Sequence, residues 1–135
     1  MESNPGNAPM TAPQSNETQM WNMLCHLIAL SGYITGLGFF LGPLIVWWTM
    51  KDKHPSVEQH GKESLNFQLT VFLAGVAVGV ASVVFGFLTC GIGFYVGFAV
   101  LAILGVAHLV LVIIASMQAW SGGSYRYPFT LRLIS

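Results

Sequence analysis

Two long runs, Phe67–Leu88 (FQLTVFLAGVAVGVASVVFGFL) and Ile92–Trp120, contain no Asp, Glu, Lys or Arg. The first is 22 residues long, and the second is broken in polarity only by His108, Ser116 and Gln118. About 20 apolar residues carry a helix through roughly 30 Å of hydrocarbon. In that solvent the backbone has to bond to itself, which leaves helices or a closed barrel. Lengths of this order, with the short turn Thr89-Cys90-Gly91 between them, predict two membrane-spanning helices joined as a hairpin.

The rest of the chain agrees with a membrane solvent. Only 7% of the 135 residues are charged, against about 25% in soluble domains. Five basic and five acidic residues cancel, so no cationic patch for nucleic acid is expected. The lipid bilayer is the expected surround, and the length suits one domain. Cys25 and Cys90 match no zinc or redox spacing and read as small buried hydrophobes.

Residues 1–15 are rich in Pro, Asn, Ser and Gly and have nothing to bury, so a disordered N-terminal tail is expected ahead of a membrane domain over 16–135. No basic segment precedes an apolar core there, and no signal peptide is expected. Asn16 and Gln19 form a weak capping box, placing a helix start near Glu17. Gln19, Asn22, His26, Ala29 and Tyr33 then fall at steps of three and four on one face, which should turn toward protein. A single helix over residues 21–50 would be about 45 Å long, well beyond the hydrocarbon thickness. Gly36, Gly38, Gly42 and Pro43 favour a break near 36–38 into two short helices, and the second ends at Trp47-Trp48 and Lys51-Asp52-Lys53, an interfacial pattern.

The polar stretch His54–Thr70 (HPSVEQHGKESLNFQLT) leads into the first long run. Ser56 and Gln59 have the spacing of a capping box, with Glu58 in the first turn. Gln59, Glu63, Asn66 and Thr70 form a stripe descending into the membrane. It can bond between helices or line a polar path. His26, His108 and Gln118 are candidates for the same depth, and Asn66 should meet His26 or Gln118. His108, near the middle of its run, reads as a packed neutral imidazole or a proton-transfer group. His60 and Glu63 share a face but lack further ligands, so a solvated interfacial turn is expected there and no metal or cofactor. Gly75/Gly79 and Gly93/Gly97 are GxxxG patterns, suited to close packing within the chain or to a homo-oligomer. No nucleophile elbow, phosphate loop or catalytic carboxylate pair occurs, so no enzyme is expected.

Lys51, Lys53 and Lys62 are separated from Arg126 and Arg132 by two spans, so all five cations share one side. The positive-inside rule makes that side the cytoplasm, with the loop 51–65 and the C-terminus inside and Thr89–Gly91 outside the inner (plasma) membrane. The tail Tyr125–Ser135 alternates aromatic, basic and aliphatic residues and suits a headgroup zone.

Trp21, Leu24, His26 and Leu27, then Gly42, Pro43 and Trp47, then HGKESLNFQLT (His60–Thr70) and YRYPFTLRLI (Tyr125–Ile134) together resemble a bacterial family of small membrane proteins. That family is known only as a domain of unknown function and is grouped with the twenty-kilodalton inner-envelope subunit of chloroplast protein import. The resemblance runs from about residue 20 to the end, with Ser64 where the family is expected to have Ala. It implies about four membrane helices and, by analogy of fold, a link to protein translocation.

The expectation is an all-α, polytopic membrane bundle. Two functions stay open: a structural or assembly partner in a membrane complex, and a conduit or transporter subunit. A polar stripe facing a water-filled gap favours the conduit. A dry, fully bonded stripe favours the scaffold.

Overall fold

A computed structural model describes residues 14–135. The first thirteen residues of the expected disordered tail lie outside the described residues. The described chain is helical, and no strand occurs in it. Its elements are α1 (Asn16–Leu27), a 3₁₀ turn (Ile28–Ser31), α2 (Gly32–Thr35), α3 (Gly38–Met50), α4 (Pro55–Leu88) and α5 (Ile92–Trp120). The 3₁₀ turn joins α1 and α2 into one arm, so four helical rods result, as the sequence suggests.

The first arm and α3 form a hairpin. Gly36 turns it with φ of 74°, a conformation that costs glycine little. Gly38 and Gly42 let the arms touch: a Cβ at Gly38 would overlap the Ser31 hydroxyl, and one at Gly42 would meet Ile28 at 3.0 Å. The break at 36–38 is therefore real. Pro43 sits inside α3 without ending it. Two helix starts differ from the sequence reading. Ser15, not Asn16, caps α1, its side chain accepting from the Thr18 N–H. α4 begins at Pro55 behind His54, because proline suits the first helical position, and Ser56 is freed to bond elsewhere.

Among the described residues, α4 and α5 are the helices long and apolar enough to cross a membrane. Only 6% and 17% of their most apolar stretches are buried. A core helix of a soluble protein hides those positions; here Phe87, Phe98 and Ile103 face outward, as lipid contact requires. α3, with 13 residues, is about 20 Å long and falls short of the hydrocarbon thickness. The first hairpin packs beside the N-terminal half of α4 and the C-terminal half of α5. Its tip reaches Gly105, where the Tyr33 hydroxyl donates to the backbone carbonyl at 2.7 Å. Beyond it, the α4–α5 pair continues alone to Thr89–Gly91.

Close approach of α4 and α5 rests on Gly93 and Gly97. A Cβ at Gly93 would overlap the backbone of Phe85 and Gly86, and one at Gly97 would overlap the Ser82 side chain. Gly75 and Gly79 differ: neither has a neighbour within 4 Å of its Cβ position. That half of the glycine pattern does not pack within the chain. Gly61 has a role the sequence reading missed, since a Cβ there would strike Trp47 of α3. Cys25 is buried as expected, but Cys90 is exposed at the turn with φ of 50°. Its place at the hairpin tip leaves nothing to cover it.

Gly93→Leu should lower the melting temperature in detergent, because backbone atoms cannot move aside and overpacking costs about 1–3 kcal/mol. Gly79→Leu, with open space around it, should leave the melting temperature unchanged. Equal melting of the two variants would contradict the packing.

Candidate functional site

Helix α4 places Glu63, Asn66 and Thr70 on one line at helical spacing, and the C-terminal tail folds back onto that line. The tail has no regular structure over residues 123–127 and 130–135, so its amides and carbonyls need partners from elsewhere. Glu63 Oε1 accepts from the Tyr127 N–H at 2.7 Å. Asn66 Oδ1 accepts from the Leu133 and Ile134 N–H groups at 3.1 and 2.7 Å, while its Nδ2 donates to the Ile134 carbonyl at 2.8 Å. Thr70 Oγ1 accepts from the Leu131 N–H at 2.9 Å and donates to the Asn66 carbonyl at 2.8 Å.

One ion pair locks the same seam. Arg132 Nη1 and Nη2 donate to Glu63 Oε2 and Oε1 at 2.6 and 3.3 Å. Glu63 is buried and Arg132 partly exposed. The bidentate fork fixes the tail as well as neutralising the carboxylate. Tyr127 lies under the tail, its ring stacked on Phe67 with centroids 3.9 Å apart. Burial, followed by the proximity of Tyr125 and of the Glu63 carboxylate, pushes the Tyr127 phenol well up, so it stays a neutral hydroxyl.

From that hydroxyl a buried chain runs across the bundle. Tyr127 Oη lies 3.0 Å from His26 Nδ1, and His26 Nε2 lies 3.0 Å from His60 Nδ1. All three side chains are buried. A second set joins the other elements: Tyr33 Oη is 2.9 Å from His108 Nδ1, and His108 Nε2 is 2.8 Å from Gln68 Oε1. A third closes the charged end of the bundle, where Ser56 Oγ donates to Asn22 Oδ1 and Asn22 Nδ2 donates to Gln14 Oε1, each at 3.0 Å.

Several sequence expectations change here. Asn66 bonds the backbone of the tail, and neither His26 nor Gln118 touches it. Gln118 is exposed, because ten residues beyond His108 its side chain is turned by roughly 80° around α5. Gln59 is exposed too, one turn above the point where the tail reaches α4. His60 and Glu63 are buried and bonded, and do not form a solvated turn. Among the described residues no group of three His, Cys, Asp or Glu side chains could hold a metal ion. The tail lies against α4 and does not simply float in the headgroup zone. Gln68, Tyr33, Tyr127 and Arg132 complete the networks. Gln68 stood within the polar stretch, but off the stripe at Ser64's face.

The five cations stand at one end of the molecule and Thr89–Gly91 at the other. The chemistry of this site is cohesion: carboxylate, amides and imidazoles are engaged with the chain itself. The exceptions are buried atoms without a partner among the described residues: the Ser64 hydroxyl, at the position where the resemblance expects Ala, the Gln68 Nε2 and the indole N–H groups of Trp21 and Trp47.

The family model described as the magnetosome magnetite crystal formation protein family (MamF/MmsF) matches residues 17–134. The chain belongs to this family. No curated protein and no solved structure matches it. A bacterial family of small membrane proteins is thus what the match gives; the link to chloroplast import implied by the resemblance forms no part of it.

Two substitutions probe the seam. Asn66→Leu strands two tail N–H groups at about 1–3 kcal/mol each if they stay buried. Hydrogen exchange at Leu133 and Ile134 should rise and the melting temperature should fall. Ser64→Ala removes a hydroxyl that has no bond to lose, and should raise stability by up to about 1 kcal/mol. A marked loss of stability in Ser64→Ala would reveal a partner for the hydroxyl.

Proposed function

We propose that this member of the magnetite crystal formation family is a membrane-embedded structural or assembly partner of the crystal-forming membrane, and does not act as a conduit or an enzyme. One observation carries the reading. The polar stripe of α4 is spent on the chain's own tail, with Glu63, Asn66 and Thr70 all bonded to residues 127–134. A path for a polar solute needs side chains facing water-filled space. Rods packed at interior density leave no room for a polypeptide-sized pore within one copy.

Charge placement supports an orientation for this role. Lys51, Lys53 and Lys62, together with Arg126 and Arg132, belong on the cytoplasmic side by the positive-inside rule. The opposite face is then the uncharged turn Thr89-Cys90-Gly91, which offers no carboxylate to a growing mineral. The protein therefore acts on crystals through the membrane and its other proteins. A membrane-protein partner or a second copy would dock on the lipid-facing flanks of α4 and α5.

Asn66→Leu tests the role. In a scaffold it should lose partners that co-purify in mild detergent, change crystal size in cells, and leave the ion leak of reconstituted vesicles unaltered. A variant that keeps its partners and melting temperature but alters the leak would establish the conduit. Orientation is checked separately in a Cys25→Ala background: an impermeant thiol reagent should label Cys90 from outside spheroplasts, and should not label a Lys53→Cys, Cys90→Ala variant.

A further inference from the structure

The two ends of the molecule differ in width. The charged end holds both arms of the first hairpin, α4, α5 and the tail. Among the described residues, the uncharged end holds α4 and α5 alone. The width changes at the hairpin tip. There the Tyr33 hydroxyl bonds the Gly105 carbonyl, the Phe40 ring meets Phe72, and Leu37 borders one cavity with Gly75 and Leu101. Past that level α4 continues over residues 76–88 and α5 over residues 92–100, about 20 and 14 Å of helix. Half of a hydrocarbon core of about 30 Å is about 15 Å. The leaflet next to Thr89–Gly91 therefore surrounds two rods, and the first hairpin ends in the other leaflet.

The side chains of that hairpin belong in lipid. Between Leu27 and Met50 there is no Asp, Glu, Lys or Arg. Ile34, at the tip, is 90% exposed and Leu37 68%. Leu41 and Ile45 follow Leu37 at helical spacing and are exposed as well, so one flank of α3 is an outward apolar ridge. A continuous apolar surface of this kind is not left to water. At the base of the hairpin, Trp47, Trp48 and Lys51 form an interfacial anchor. The hairpin thus enters from the charged side, and its arms are too short to leave by the other.

Rods about 10–12 Å across take up leaflet area in proportion to their number. The hairpin therefore about doubles the area that the chain displaces in the leaflet holding the charges. A bilayer relieves such an imbalance by bending, with the crowded leaflet on the convex side. Helices sunk into one leaflet sense curvature for the same reason. We propose that the chain is a wedge that gathers in, and stabilises, lipid membrane curved with the charged end on the convex face. In the orientation proposed above, that is membrane bulging toward the cytoplasm. The inference goes beyond the assembly role and does not rest on it. Loss of partners in Asn66→Leu reads that role separately.

The test pulls nanotubes outward from giant phosphatidylcholine vesicles that hold the full chain at low density in both orientations. An impermeant dye added outside marks one orientation at a time. It reaches position 53 of a Lys53→Cys, Cys25→Ala, Cys90→Ala variant only where the charged end is outside. It reaches Cys90 of a Cys25→Ala variant only where that end is inside. The outer leaflet of a tube is convex, so the first pool should be severalfold denser in the tube than on the parent vesicle, and the second severalfold sparser. Equal density in tube and vesicle, or sorting of both pools in the same direction, would overturn the proposal. A spin label at Ile34→Cys, in the Cys25→Ala, Cys90→Ala background, reads the depth of the tip from an exposed site that packs against nothing. It should lie in hydrocarbon on the charged side of the bilayer centre. A label at headgroup level, or past the centre, would remove the wedge and the proposal with it.

Discussion

An irregular segment of backbone lying against a membrane helix cannot be left with bare N–H and C=O groups. The last dozen residues of this chain are such a segment, and the polar stripe of α4 answers them almost bond for bond. Asn66 alone takes two amides and one carbonyl, and Glu63 takes an amide and a guanidinium. With the tail in place, Tyr127 is pressed onto Phe67 and held at His26. That links the end of the chain to α1, and the first hairpin to the α4–α5 pair. Removing the tail would strip a buried carboxylate and an amide of their partners and uncover the histidine pair.

The cohesion is unevenly distributed. The half of the molecule holding the charged residues has three polar networks and two apolar clusters, one around Phe67 and Val112, the other around Cys25, Val46 and Val57. The other half consists of two helices in contact through glycines. Inter-helix attraction in lipid comes from packing and not from hydrophobic burial, so Gly93 and Gly97 matter there more than any larger side chain. Local opening should begin at that end, where few contacts hold the pair.

What the sequence disclosed follows from which forces are local. The two long apolar helices were legible because the membrane acts on each residue separately, and apolar length is enough to mark them. The turn at Gly36 was legible because only glycine takes that φ cheaply. The stripe on α4 was legible by its spacing, and Gly93 with Gly97 by their pattern. Its partner was not. The tail meets α4 across more than sixty residues of sequence, and irregular backbone has no period to read. Gln59 and Gln118 looked like members because they are amides near the right depth, but the face each presents depends on rotation about the helix. Gly75 and Gly79 have the same spacing as the pair that packs, and no sequence rule says which flank will find a neighbour.

The placement of charge has a consequence for how the chain enters the bilayer. Every charged side chain among the described residues, from Glu17 to Arg132, belongs to the same end of the fold. Entering the bilayer as a hairpin, α4 and α5 would carry only Thr89-Cys90-Gly91 across the hydrocarbon. No ion need be desolvated in transit, so the barrier to insertion is far lower than for a loop bearing lysines or carboxylates. The reverse passage, which would drag the whole charged base through, is closed by the same arithmetic. Charge gathered at one end in this way would make insertion a one-way valve.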